Sequence, residues 1–330
     1  MVIKLGIIGC GNLAEDCYRP ALRRLETEDP KLILAGCCDR DITKSKAYAR
    51  KGGFQASYDD AEQMLRDIKP DCLLITTPVS VTAPLATKLC WYKIPMMIEK
   101  PPALNTSDAK MLLNTLNQYQ VLHQIAFNRH HMPLIRTLKK RLEYGSRIQN
   151  IQVLMSRYKR LESTFYTTAI HGVDLLRYVA TSPFQFVNFS YQDLPEHGEG
   201  VCNMYMDCTF ENGISAQASF LVSSGLTSER IMITCEGESY FVHLPVWGCS
   251  DSPGVLMHYE SDTLSENLSG DKIGDGMELF ESNGFYMQLK CFLEAVRNKR
   301  QPDESMAYAY QAVEIAECMH KRIKNYSTQK

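Results

Sequence analysis

The stretch Ile3-Lys4-Leu5-Gly6-Ile7-Ile8-Gly9-Cys10-Gly11-Asn12-Leu13-Ala14 runs an apolar segment straight into a glycine-punctuated turn, and a helical pattern follows. That order predicts a β-strand, a tight bend and a helix N-terminus, the setting of a dinucleotide-binding turn. Gly9 allows the bend, Gly11 lets the backbone approach a pyrophosphate, and Ala14 keeps the helix close to the strand. A helix start offers amide groups without intrahelical partners and a positive dipole end, so Gly9, Gly11, Asn12 and Leu13 can cradle a diphosphate without a basic side chain. Glycines also mark ordinary tight turns, and the next strand helps decide between the two. Leu32-Ile33-Leu34-Ala35-Gly36-Cys37-Cys38 ends at Asp39, about the distance from the glycines at which a carboxylate meets the adenine ribose hydroxyls. A carboxylate there favours NAD, because it repels the 2′-phosphate of NADP. Arg40 keeps NADP open, since a guanidinium can stack on adenine or accept that phosphate, or simply be a solvated charge.

Working outward, strand and helix patterns alternate to about residue 128. Asp41 is placed to cap a helix through Arg50, and Tyr58-Asp59-Asp60 leads into another through Arg66. The apolar strand Cys72-Leu73-Leu74-Ile75 then ends in Thr76-Thr77-Pro78. This is a doubly wound α/β pattern, in which the carboxyl ends of the strands face the ligand crevice. After a helix around Ala83 to Tyr92, Met96-Met97-Ile98 runs into Glu99-Lys100-Pro101-Pro102. An ammonium is thereby expected at a strand's carboxyl end, beside the place for a nicotinamide, and Pro101 biases Lys100 toward extended backbone. A helix from about Ser107 to Tyr119 and a strand from Val121 to Phe127 close the domain near Asn128-Arg129, giving domains 1–128 and 129–330. In the second half, strands are expected at Ile148 to Ser156, Asn203 to Phe210, Ile214 to Val222, Arg230 to Glu236 and Tyr240 to Leu244. Helical patterns cover Thr167 to Tyr178 and Tyr286 to Lys324, the latter broken at Gln301-Pro302. Consecutive strands with helices packed against them read as α+β. Residues 251–276, rich in Ser, Gly and acidic side chains, read as a long loop that could serve as an active-site flap or a subunit contact. Arg157, Lys159 and Arg160 are either a site for an anionic substrate or a solvated strand end.

Composition narrows the function classes. The 330 residues suffice for two domains, and 45% hydrophobic with 22% charged residues is ordinary for a globular enzyme. A formal net charge of −2 offers no basic field for nucleic acid. No apolar stretch is long enough to span a bilayer, and Met1-Val2-Ile3-Lys4 leads into a core strand rather than a signal peptide, so the expected location is the cytoplasm. The twelve cysteines lack the paired C-x-x-C spacing of zinc sites, and read as free thiols of a reducing compartment. No His, Cys and carboxylate grouping has metal-ligand spacing, and no metal is expected.

Gly9-x-Gly11-x-x-Ala14, Asp39, Thr77-Pro78, Glu99-Lys100-Pro101, Asn128-Arg129 with Pro133, and His171-x-x-Asp174 stand in the order found in the glucose-fructose oxidoreductase and inositol dehydrogenase family, Gfo/Idh/MocA, which the chain resembles. The resemblance implies an N-terminal Rossmann domain followed by an α+β domain. The second domain would carry a large, mostly antiparallel open sheet, with helices on one face and the other used for substrate and subunit contacts in a homodimer or homotetramer. It implies Lys100 at the active centre, His171 turned toward the substrate, and a cofactor contacted also through Arg40, Thr76, Glu99 and Asn128. The implied reaction moves a hydride between NAD(P) and a hydroxyl carbon of a sugar, polyol or sugar-derived metabolite. Oxidising an alcohol requires removal of the hydroxyl proton, for which imidazole titrates in a useful range, while Lys100 could share that role and stabilise alkoxide character. Two departures stand out. Many members carry an Asp four residues before the His, where this chain has Thr167; and after Thr77-Pro78, Val79 and Thr82 replace an Asn and a His. Either Lys100 and His171 suffice, or Tyr158 or Tyr166 contributes, or the protein is a cofactor-binding regulator or scaffold without turnover.

Overall fold

In β1 (Ile3–Ile8) every residue except Lys4 is buried, the mark of a strand covered on both faces. It lies at the centre of a six-stranded parallel sheet with β2 (Leu32–Cys38), β3 (Ser57–Tyr58), β4 (Cys72–Ile75), β5 (Met96–Glu99) and β6 (His123–Ala126), in the order β3-β2-β1-β4-β5-β6. Winding reverses at the β1/β4 boundary, the switch point at which such sheets open a ligand crevice. The structure is a computed structural model and describes residues 1–274 and 276–328. The connecting helices are α1 (Arg19–Glu28), α2 (Ile42–Gly52), α3 (Ala61–Ile68), α4 (Val79–Leu89) and α5 (Thr106–Tyr119). Three of them start on side-chain caps: Asp41 accepts from Thr43 N, Asp60 from Gln63 N and Asn105 from Asp108 N. Each satisfies an amide that the first turn of a helix leaves unpaired.

The chain divides into two units, and the division differs from 1–128 and 129–330. Phe285–Val313 joins Met1–Asn128, while Arg129–Gly284 joins the stretch from Glu314 onward. The physical reason lies in what α9 (Phe285–Asn298) and the start of α10 (Met306–His320) complete. Phe285 packs edge-on against Tyr18 at 5.3 Å, and Arg24 lies over the Tyr286 ring at 4.3 Å. Beyond α9, Ile125 N donates to Glu304 O (2.7 Å) and Met306 N to His123 Nε2 (2.9 Å), so the edge strand β6 is covered by chain that arrives late.

The second unit is built on a nine-stranded sheet. Its strands are β7 (Ile148–Ser156), β8 (Phe184–Asp193), β9 (Cys202–Phe210), β10 (Ser215–Leu221), β11 (Ser228–Cys235), β12 (Glu238–Leu244), β13 (Val255–Glu260), β14 (Thr263–Ser269) and β15 (Asn325–Ser327). They run in the order β14-β13-β12-β11-β7-β10-β9-β8-β15, and only the β7–β10 pair is parallel. Strict alternation of burial in β9 and β10 leaves one face covered and the other toward solvent. α6 (Pro133–Tyr144) and α7 (Tyr166–Ala180) belong to this unit, and a short α8 (Leu279–Ser282) follows the last hairpin. A Cβ on Gly172 of α7 would stand 2.6 Å from the Phe220 ring and 2.7 Å from Met155 Sδ, so the missing side chain is what lets α7 lie against β7 and β10.

Residues 251–276 are not a long loop. They hold β13 and β14, joined at Ser261 and Asp262, both with positive φ (49° and 62°), as a tight hairpin requires. Asp275 of that stretch lies outside the described residues.

Candidate functional site

A cavity of about 600 Å³ opens in the first unit at the carboxyl ends of β1, β2, β4 and β5. Gly9, Gly11, Asn12, Leu13, Asp39, Arg40, Thr76, Thr77, Pro78, Glu99 and Lys100 line it; Ala14 and Asn128 are buried and do not. Gly9 has φ +101°, and a Cβ there would come within 2.6 Å of Thr76 O, so two strands touch at the bend. A Cβ on Gly11 would meet nothing within 4 Å and would project into open space that the turn keeps clear. The first helical bond runs from Glu15 N to Gly11 O (3.0 Å), so the amides of Asn12, Leu13 and Ala14 precede any intrahelical acceptor. Asp39 braces this turn, accepting from Cys10 N at Oδ2 (2.9 Å) and from Asp41 N at Oδ1 (3.0 Å). Each carboxylate oxygen keeps a lone pair for a ribose hydroxyl. The residues fit a dinucleotide: a glycine turn with amides for its diphosphate, a carboxylate for its ribose, and apolar Val81, Leu85 and Leu89 of α4 in the wall.

Lys100 is held by its backbone. Its N–H donates to Oε2 of the buried Glu99 (3.0 Å), while Oε1 of the same carboxylate accepts a short hydrogen bond from Tyr18 Oη. Burial and the neighbouring Glu99 charge push the Tyr18 hydroxyl well above the usual tyrosine range, so it stays a donor. Tyr18 closes a π-helical turn, Ala14–Tyr18, directly after the glycine turn. Wide turns of this kind frequently occur at functional sites. Nothing in the spacing of the sequence links Tyr18 to Glu99.

The second unit carries a separate buried cluster. Arg129 forks onto Glu229, Nε to Oε2 at 3.1 Å and Nη2 to Oε1 at 2.7 Å, and Arg157 Nη2 makes a short contact with the same Oε1. Arg157 is only 4% exposed and also donates to Ser156 O and Ser228 O, so it is a structural charge and not the anion-binding strand end allowed above. Burial would raise the Glu229 carboxyl, but Arg129 and Arg157 outweigh it and hold it at about 2. Arg129 Nη1 lies 3.2 Å from His171 Nε2. Asp174 Oδ2, one turn along α7, lies 2.7 Å from His130 Nε2, and His130 stacks on Tyr178 at 3.7 Å. Elsewhere in this unit, Glu238, His258 and Glu260 bring ligand-type atoms within 4.8 Å of one another, though Glu238 already accepts from Ser146 and Tyr240.

Residues 3–127 match the family described as the oxidoreductase family, NAD-binding Rossmann fold (Gfo/Idh/MocA). The scyllo-inositol 2-dehydrogenase (NAD(+)) of Bacillus subtilis is 24% identical over 91% of this chain and 88% of its own. Together these matches support a Gfo/Idh/MocA oxidoreductase, with the family match lying in residues 3–127. Solved structures agree in fold: an NAD-binding oxidoreductase from Klebsiella pneumoniae superposes with a TM-score of 0.86 at 15% identity, each chain covered in full. A levoglucosan dehydrogenase in complex with NADH and levoglucosan gives 0.84 at 16% identity, with 99% of this chain and all of that one covered. The first unit is thus an NAD-binding Rossmann fold. A regulator or scaffold without turnover finds no support among these relatives.

Two of the departing residues, Thr82 and Thr167, make local hydrogen bonds. Thr82 Oγ1 pairs with Thr77 Oγ1 (3.0 Å) and donates to Thr77 O (3.1 Å), so it fastens the Thr77-Pro78 turn from inside. Thr167 Oγ1 donates to Thr164 O (2.9 Å) at the start of α7. Tyr166 is buried against His320, with its hydroxyl pushed up by burial, and Tyr158 is 58% exposed. Among the described residues no helix is long and apolar enough to cross a membrane.

Proposed function

We propose that the protein is an NAD-dependent dehydrogenase that moves a hydride between nicotinamide and a hydroxyl carbon of a sugar, polyol or sugar-derived metabolite. The observation that carries this reading is Lys100, which lines the same cavity as Gly9, Gly11 and Asp39 and whose backbone is fixed by Glu99. The dehydrogenase names of the inositol and levoglucosan relatives support the substrate class. Bound NAD supplies the hydride acceptor. Lys100 brings an ammonium to the hydroxyl oxygen, where it favours alkoxide character as the carbon is oxidised. His171 handles the hydroxyl proton. Asp39 favours NAD, and Arg40 and Lys44, which also line the cavity, are the cations that an NADP phosphate would meet. A cytoplasmic homodimer or homotetramer belongs to the same reading. It is supported by buried thiols such as Cys37, Cys38 and Cys72 that are in no disulfide, and by a half-exposed sheet surface that includes Phe241, Met257 and Tyr259.

The test is nicotinamide reduction across a panel of inositols, sugars and sugar acids. Lys100→Ala is expected to lower kcat by roughly 10²–10⁴-fold while NADH affinity, read by fluorescence titration, stays within about threefold, because the diphosphate cradle is built of backbone. Turnover that survives Lys100→Ala unchanged would overturn the assignment.

A further inference from the structure

We propose that Arg129 is a positioning residue that fixes the protonation form of His171, holding the imidazole neutral with its proton on Nδ1. The proposal rests on the reading above in which His171 handles the substrate's hydroxyl proton. The geometry leaves little choice of hydrogen. A guanidinium carries five N–H donors and no acceptor, so in the 3.2 Å contact between Arg129 Nη1 and His171 Nε2 the ring nitrogen accepts. A ring whose Nε2 accepts has its proton on Nδ1 and is not imidazolium, which is protonated at both nitrogens.

Arg129 is not free to turn away. Two of its other donors are committed to both oxygens of Glu229, and Glu229 is also held by Arg157, which is pinned in turn to the carbonyls of Ser156 and Ser228. Arg129, Arg157 and Glu229 are each at most 4% exposed, so no water layer loosens the set. The two guanidinium groups share the Glu229 carboxylate, and Arg129 turns Nη1 toward His171. The carboxylate on the same helix, Asp174, lies against His130 Nε2. Where α7 meets the sheet beside His171, at Gly172, the neighbours are apolar, Met155 and Phe220. The imidazole can take up a second proton only at Nε2, and only as the Arg129 contact opens. Arg129 therefore governs how readily His171 changes charge. This is a concrete role for a residue that the sequence marks only as the end of an Asn-Arg pair.

The test reads the ring directly. In full-length protein with ¹⁵N-labelled histidine, two-bond ¹H–¹⁵N correlation spectra separate the Nδ1–H, Nε2–H and doubly protonated forms, and His171→Asn identifies the His171 signals. The expected result at neutral pH is the Nδ1–H form in the wild type. Arg129→Lys, still donor-only, should keep it; Arg129→Gln, whose carboxamide oxygen can accept, should move population to Nε2–H, with kcat falling by at least about tenfold. A wild-type His171 that is Nε2–H or doubly protonated would overturn the proposal without need of any variant, as would an unchanged tautomer in folded Arg129→Gln. Normal turnover in His171→Asn is a separate result that would overturn the underlying assignment of His171 to the hydroxyl proton.

Discussion

The glycine turn of the first unit and the Glu229 cluster of the second handle charge in opposite ways. Gly9 through Ala14 contains no charged side chain, and the turn offers an anion amides and a helix dipole. The cluster buries three full charges, and each arginine depends on the shared Glu229 carboxylate for compensation. A site built of backbone is broken by adding atoms, whereas a site built of buried charges is broken by removing them. The first should tolerate most side-chain changes beside its glycines, and the second should tolerate almost none.

The largest effect expected is on the charged side. Glu229→Leu strands Arg129 and Arg157 in an apolar interior and should cost about 3–5 kcal/mol of stability, read from urea unfolding midpoints. A loss below about 1 kcal/mol would mean that the cluster is effectively solvated. Next comes acid. The Glu229 carboxyl is held below its ordinary 4.5, at about 2, so its stabilisation is complete above pH 4.5 and is lost as pH falls toward 2. The size is about 3 kcal/mol, and the stability of Glu229→Gln should fall less steeply over that range than that of the wild type. On the backbone side, Gly9→Ala forces a side chain into positive φ and against Thr76 O, costing about 1–3 kcal/mol and at least about tenfold in NADH affinity. Cys10→Ala, one residue away, should leave NADH affinity nearly unchanged; equal losses from the two would dissolve the contrast. The smallest effect belongs to Thr82→Val, which removes the hydroxyl that fastens Thr77-Pro78 and should cost about 1 kcal/mol by thermal unfolding.

How much was legible in the sequence follows the same contrast. The glycine turn, Asp39 and Glu99-Lys100 could be read because each is a short motif at the end of an apolar strand, and strand ends in a parallel sheet converge. The charge cluster could not. Arg129, Arg157 and Glu229 lie far apart in the chain, and singly each resembles a solvated charge; Arg157, beside Tyr158, Lys159 and Arg160, looks like the start of a basic surface. β8 went unrecognised although Phe184, Val187 and Phe189 are buried in it, because its C-terminal half is polar and exposed. The edge strand β14 hid behind Thr, Ser, Glu and Asn, since edge strands bury little and carry polar and charged side chains that discourage further pairing, and β13 was masked by the Ser, Gly and acidic residues that flank it. Helical periodicity found α9 and α10 but gives no indication of which sheet a late helix covers.

The late arrival of Phe285–Val313 has a consequence for the birth of the molecule. On a ribosome, residues 1–128 emerge before the rest of this sequence, without the Phe285 ring for Tyr18 or the Met306 amide for His123. Every strand of the nine-stranded sheet except β15 is synthesised before those partners appear. The cofactor-binding unit, most of which is made before the second, is thus among the last parts able to finish folding, and a nascent chain halted before residue 285 would present an open flank to chaperones and proteases.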